Sequence, residues 1–222
     1  MKIEDSWTFN SCDTAQAFDS HVREQLPWYS MVTDAVATIA RAYLRTGGLV
    51  YDIGASTGNV GRTIGGLLSS RQGRLIAIEP SQQMASKYQG PGNLQIIDAC
   101  DVDTFERFDV AICMLSLMFM PMTRRRSLFA KLEAARNPDG CIVVVDKFAT
   151  TQGNMANIAR HITLRAKLAS GVDMESIAKK ELSLLGVQVP LQEGEVPRDC
   201  YEFFRFGEFA GYVMPMTAGG GA

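Results

Sequence analysis

The sequence predicts an α/β fold in which a mainly parallel sheet is covered by helices on both faces. Three observations carry this. From Leu49 onward, short apolar runs alternate with helix-compatible stretches. The first run, Leu49 to Ile53, ends in Gly54-Ala55-Ser56-Thr57-Gly58, and an apolar helical stretch follows from Asn59 to Leu68. The second run, Arg74 to Ile78, ends in an acid, Glu79.

Two helices are expected before the first strand. Ser11 or Asp13 can cap one that runs to Leu26 and places Ala17, Phe18 and Val22 on one face. Pro27 breaks it. Ser30 can cap the next, whose apolar stripe is Val32, Val36, Ile39, Ala40 and Tyr43, and Gly47-Gly48 ends it. Strands are then expected near 49–53, 74–79, 94–98, 109–114 and 140–146. Helices are expected near 58–69, 81–88 and 123–136. Residues 150–190 read as a helical insertion, with one helix from Gln152 to Ala169 and another from Met174 to Leu185. Met155, Ile158, Ala159 and Ile162 form a stripe on the first. Residues 190–200 read as loop, and Tyr201–Phe206 and Glu208–Met214 as an antiparallel pair around Gly207, giving seven strands. Residues 1–10 read as loose chain and the glycine-rich tail from Thr217 as disordered. The whole reads as one domain.

The glycine-rich turn carries the chemistry. Gly54 and Gly58 lack a Cβ, so the backbone can turn sharply and approach a ligand. The helix that follows directs free N–H groups back at the turn, which suits a nucleotide or a carboxylate. An acid about 20 residues beyond such glycines, at the end of the next strand, is placed to accept from a ribose. In a parallel sheet the ligand lies beyond the carboxyl ends of the strands. Gly54, Glu79, Asp98, Met114 and Asp146 all fall at strand ends in this reading and are expected to line one crevice.

Composition narrows the function classes. Hydrophobic residues make up 46% of the 222, enough for a full core. A net charge of −2 gives no support for DNA or RNA binding. Five singly scattered cysteines and two histidines offer no metal-binding spacing and read as reduced thiols of a cytoplasmic protein. The N-terminus has no apolar run of a signal peptide. The longest apolar stretch, Val110 to Met122, falls short of the ~20 residues a membrane span needs. Arg124-Arg125-Arg126 reads as a phosphate contact or, more blandly, a solvated helix end. Met114, Met118, Met120 and Met122 read as pliable core or pocket wall.

Asp52-x-Gly54-x-x-x-Gly58 followed by Glu79 resembles the first two motifs of the class I S-adenosylmethionine-dependent methyltransferases. Asp98-Ala99, Phe108-Asp109-Val110 and Asn137-Pro138-Asp139-Gly140 resemble later landmarks of that superfamily. The nearest branch is similar to carboxy-S-adenosylmethionine synthases, which serve transfer RNA wobble-uridine modification. Tyr51-Asp52 before the loop, Ser56 inside it, Phe18-Asp19, Pro27-Trp28-Tyr29-Ser30, Lys147-Phe148 and Phe206-Gly207 carry that resemblance. It implies a Rossmann-like seven-stranded fold, S-adenosyl-L-methionine as cofactor, a small-molecule or nucleotide acceptor, and a homodimer.

The resemblance also implies roles. Glu79 accepts from both ribose hydroxyls, Pro80 and Ala99 flank the adenine, and Asp98 accepts from its exocyclic amine. Ala55 and Ser56 belong to the loop, Met114 to the pocket, and Tyr29 lies against the cofactor. Asp52 orders the loop or bonds the methionine ammonium through a water. A proton-bearing acceptor needs a base, for which Asp146, Lys147 and His161 are candidates, each with a plainer reading as cap, surface charge or ordinary helix residue.

Three functions follow for test: methyl transfer, synthesis of the carboxylated cofactor, and non-catalytic binding of S-adenosylmethionine. A nicotinamide enzyme is disfavoured by the glycine spacing. The carboxylating branch grips its ligand's extra carboxylate with an arginine on the second inserted helix. With Gly171 and Ile177 as landmarks that position is Glu181 here, or Lys180 with a one-residue shift. The asparagine expected at the end of the fourth strand is Met114. The expectation is that plain S-adenosylmethionine is preferred to its carboxylated form.

Overall fold

A computed structural model describes residues 7–149, 153–192, 194–196 and 199–215. The readings made for residues 1–6, Gln152 and the glycine-rich tail lie outside these residues.

Period-two alternation divides the central strands between two cores. In β1 (Leu49–Ile53), β4 (Phe108–Met114) and β5 (Arg136–Lys147), Val50, Ile112 and Val143 face one side. Their chain neighbours Tyr51, Cys113 and Val144 face the other. The first face is covered by α1 (Cys12–Gln25), α2 (Tyr29–Tyr43) and α3 (Asn59–Arg71), through residues such as Val36, Ala40 and Ile64. The second is covered by α5 (Met122–Ala135), through Leu128 and Leu132. Strands buried on both faces are the reason these runs read as continuous apolar stretches.

The sheet has the order β3-β2-β1-β4-β5-β7-β6, with β2 at Arg74–Ile78, β3 at Asn93–Gln95, β6 at Tyr201–Phe206 and β7 at Phe209–Pro215. It is parallel except for β7, which runs antiparallel to both β5 and β6. Strand order reverses between β1 and β4, so the crevice for a ligand opens there.

Several boundaries differ from the sequence reading. β3 stops at Gln95, and α4 is one turn, Gln82–Ala85, capped by Ser81. β5 starts at Arg136, with a register shift against β4. No side chain caps α1 at Ser11, and α2 begins before Ser30, at Tyr29. α6 (Gly153–Ala169) and α7 (Met174–Ser183) form the insertion. The expected stripe on α6 divides: Ala159 faces inward, whereas Met155, Ile158 and Ile162 face solvent. The arginine run divides too. Arg124 pairs with Asp98 and Asp101. Arg125 is fully buried, donates to the Met120 and Val189 carbonyls, and pairs with Glu195. It is therefore a tie between α5 and the returning loop, not a solvated end.

Asp109 on β4 locks the edge of the sheet opposite the crevice. Its carboxylate accepts from the Arg45 backbone N–H at 3.0 Å, the Arg45 guanidinium at 2.6 Å and Asn137 at 2.8 Å. A Cβ at Gly48 would collide with that carboxylate, which fixes glycine there. Asp109→Ala is expected to cost about 2 kcal/mol, because it removes the buried acceptor of a charge-assisted set. Denaturant unfolding measures this as a lower midpoint with unchanged slope.

Candidate active site

The crevice lies at the carboxyl ends of β1, β2 and β4. Ten of the eleven residues singled out in the sequence line it: Tyr29, Asp52, Gly54, Ala55, Ser56, Glu79, Pro80, Asp98, Ala99 and Met114. Gly58 does not. Its close approach is to the Gly90 backbone and the Tyr88 ring, and its φ of 90° starts α3. Asp146 is also absent from the lining. β5 runs on to Lys147, so alternation turns Asp146 into the core, where it accepts from the N–H groups of Leu117 and Lys147 at 2.8 Å each. Burial pushes its carboxyl up to about 7 against the pull of those donors.

Backbone strain shapes the loop. Gly54 has φ 78°, and a Cβ there would collide with Ser116. Both Gly54 and Ala55 donate to the Ile78 carbonyl, at 2.8 and 2.9 Å, which holds the loop onto β2. Ser56 is left-handed at φ 53°, an unfavourable conformation for serine that directs its N–H to Glu79 Oε2 at 2.8 Å. Glu79 Oε1 accepts from Ser81 N at 2.9 Å. Each oxygen of Glu79 thus has one backbone donor and keeps capacity for another. Leu115, at φ 56°, turns the end of β4 so that Ser116 reaches the crevice.

Asp52 pairs in register with Ala77 of β2, Glu79 follows directly on the end of β2, and both carboxylates are buried. Burial first, and then the Glu79 charge, push Asp52 up to about 7. Glu79 is raised by burial, against its two backbone donors. Among the described residues, Asp52 Oδ2, Ser56 Oγ and Ser116 Oγ are buried without a hydrogen-bond partner. Such orphans mark where a polar ligand belongs.

α1 is anchored to the same loop. Its Asp19 accepts from Thr57 Oγ1, from Asn59 at 2.8 Å and from Arg62 at 2.6 Å. The Phe18-Asp19 landmark therefore contributes an acid that ties helix to turn. Asp98, by contrast, is committed before any ligand arrives: it caps Cys100 N at 2.8 Å and pairs with Arg124 at 3.1 Å.

Of the far wall, the sequence marked only Glu181 or Lys180, through the resemblance, and not the residues of α1 and α6. Trp7, His21 of α1, Thr163 and Lys167 of α6, and Lys180 and Glu181 of α7 line it. The available signal was spacing: Ala159, Thr163 and Lys167 recur every four residues on the inward face of α6. Glu181 does not confront the crevice as a bare anion, as expected from the sequence. It pairs with Lys167 at 2.7 Å, and although burial raises its carboxyl, that lysine holds it below the usual range. Of the base candidates, Lys147 lines the crevice and donates to Gln188 at 3.2 Å. His161 is exposed and contacts the Asn157 carbonyl on the outer face of α6.

Comparison with known proteins bears on this geometry. No protein-family model matches the chain. It is similar to the carboxy-S-adenosyl-L-methionine synthase of Staphylococcus epidermidis, with 28% identity over 220 residues, covering 93% of this chain and 96% of the relative. The synthase of Shewanella sp. strain ANA-3 is 24% identical over 185 residues, covering 79% and 76%. Among solved structures, the plantazolicin methyltransferase BpumL in complex with SAH superposes with a TM-score of 0.54 at 12% identity, covering 91% of this chain and 89% of that one. Human N-acetylserotonin methyltransferase in complex with SAM gives 0.59 at 11% identity, covering 93% and 57%. The fold is that of the class I S-adenosylmethionine-dependent methyltransferases. In this methyltransferase fold the glycine turn after β1 and the acid after β2 occupy the crevice edge that the strand reversal creates. Among the described residues no helix is long and apolar enough to cross a membrane.

Proposed function

We propose that the protein is an S-adenosylmethionine-dependent methyltransferase of a single domain, acting on a small-molecule or nucleotide acceptor. The observation that carries the reading is the pair Asp52 and Glu79, buried at adjacent strand ends beside orphaned polar atoms. Glu79 offers free lone pairs to two adjacent ribose hydroxyls. Asp52 Oδ2 offers a buried acceptor to the methionine ammonium. The bound group supplies an activated methyl on a sulfonium, and the chain supplies orientation and charge. Tyr29 and Met114 wall the crevice between these carboxylates and the insertion.

A second reading, synthesis of the carboxylated cofactor, is favoured by the named relatives. It is disfavoured by the resemblance, which puts Glu181, or Lys180 with a one-residue shift, and Met114 where that branch carries an arginine and an asparagine. Calorimetry with S-adenosylmethionine, its carboxylated form and NAD separates the readings. S-adenosylmethionine is expected to bind most tightly, and Glu79→Ala to weaken it by about 1–3 kcal/mol, the loss for a charged hydrogen-bond partner. Tighter binding of the carboxylated form would replace the first reading by the second. Unchanged affinity in Glu79→Ala would overturn the site.

We further infer a cytoplasmic homodimer joined through the insertion. The five cysteines are all unpaired, consistent with a reducing compartment. Met155, Ile158 and Ile162 of α6 and Leu182 and Leu185 around the end of α7 are exposed apolar side chains, with Leu185 82% accessible. Light scattering at about 10 μM is expected to give twice the chain mass, and Ile158→Asp with Leu182→Asp to give the single mass, since a ~1 μM dimer is mostly assembled at that concentration. A wild-type monomer would contradict the dimer.

A further inference from the structure

We propose that the acceptor is a small aromatic weak acid, a phenol or an aromatic thiol, and that the amine of Lys180 takes its proton. The proposal deepens the methyl-transfer reading and rests on it for the methyl donor only. Lys180 is 7% exposed, lines the crevice, and forms no ion pair or hydrogen bond among the described residues. Its Nζ lies over the Trp7 ring. The His21 ring stacks on Trp7 with centroids 5.8 Å apart, and His21 Nε2 is buried without a partner. Lys180 Nζ, set on the Trp7 ring face, and the unpartnered His21 Nε2 thus belong to one aromatic wall. Phe9, Phe119 and Leu184 continue that wall. An aromatic wall with a buried amine set on it suits a flat ligand carrying one ionisable hydrogen.

The surroundings of Lys180 favour a neutral amine, although the Trp7 ring face favours the ammonium. Burial is the largest effect, Lys167 on α6 adds to it, Glu181 on α7 opposes it, and the ammonium loses its proton at about pH 6. His21, facing it from α1, is pushed down to about 4 by burial and then by Lys180. His21 is pushed below Lys180, so of the two nitrogens Lys180 is the stronger base and the proton goes to it. In the step, the O–H or S–H bond of the acceptor breaks and its electron pair stays on the heteroatom. The proton forms the third N–H bond of Lys180, and the net charge is unchanged. The resulting anion is the nucleophile that methyl transfer requires. Lys167, already paired with Glu181 at 2.7 Å, lies beside it.

The test uses 4-nitrophenol, whose ionised form absorbs in the visible. It is added to the full chain with and without S-adenosylhomocysteine at about pH 6, where the free probe is mostly the neutral phenol and Lys180 is half neutral. The expected result is the phenolate spectrum on binding. Lys180→Met is expected to lose at least about tenfold of that signal, and Lys180→Arg, which cannot act as a base, to lose it as well. A bound probe that stays neutral, or a probe that does not bind, would overturn the proposal. A full phenolate signal in Lys180→Arg would overturn it too, because charge alone would then suffice. The wild-type spectrum decides even if a variant fails to fold, which melting curves report. Absence of S-adenosylhomocysteine binding in calorimetry would remove the donor reading while leaving the proton-transfer test intact.

Discussion

Two carboxylates buried side by side without a cation constrain the rest of this molecule. Asp52 and Glu79 stand at the ends of adjacent parallel strands, and among the described residues neither forms an ion pair. Burying unpaired charge is costly, so the protein meets the cost in three ways. It supplies two backbone N–H groups to Glu79, one from the strained Ser56 and one from Ser81. It lets Asp52 hold its proton up to about pH 7. It keeps the glycine turn narrow, with Gly54 pressed against Ser116, so that the loop N–H groups stay in place. A ligand with two adjacent hydroxyls and a cationic group removes the remaining penalty. In this account the strained loop exists because of the acid it serves.

Much of this was legible in the sequence for a physical reason. β1, β4 and β5 are covered on both faces, so they appear as uninterrupted apolar runs such as Leu49–Ile53. Glycine is required where φ is 78° at Gly54, and an acid at a strand end is visible as a break in apolar character. Local chemistry therefore marked the near wall. The place of the insertion over the crevice follows from its position after β5, but which face of α6 turns inward is not encoded by its apolar stripe. The exposed apolar stripe of α6 looked like its inner face. The structure instead turns Ala159, Thr163 and Lys167 inward, where Ala159 and Thr163 pack closely on Gly207 of the β6–β7 turn and Lys167 lines the crevice. Gly58 misled in a related way. Its missing Cβ makes room for the protein's own Gly90 backbone.

The two walls differ in kind. The near wall is acidic and set by strand ends. The far wall carries three lysines and one glutamate on β5, α6 and α7, with Trp7 and His21 added from the N-terminal side. Trp7 N donates to the Ser183 carbonyl at 2.8 Å, which joins that N-terminal segment to the insertion. A cationic donor and a proton-bearing acceptor placed between these walls would each meet a complementary group. Arg125, sealed beneath the returning loop, fixes how that roof sits on α5.

The most direct measurement is the affinity for S-adenosylmethionine as a function of pH, in the wild type and in Asp52→Asn. The folded pKa of Asp52 is raised to about 7, and a cationic ligand selects its ionised form. Binding must then release a proton below that pH, and affinity must climb as pH rises to about 7 and level off above it. Asp52→Asn should bind more weakly above pH 7 and lose the climb. A wild-type affinity that is flat across this range, or that strengthens on acidification, would contradict the claim that a buried, unpaired Asp52 waits for the cation of the cofactor.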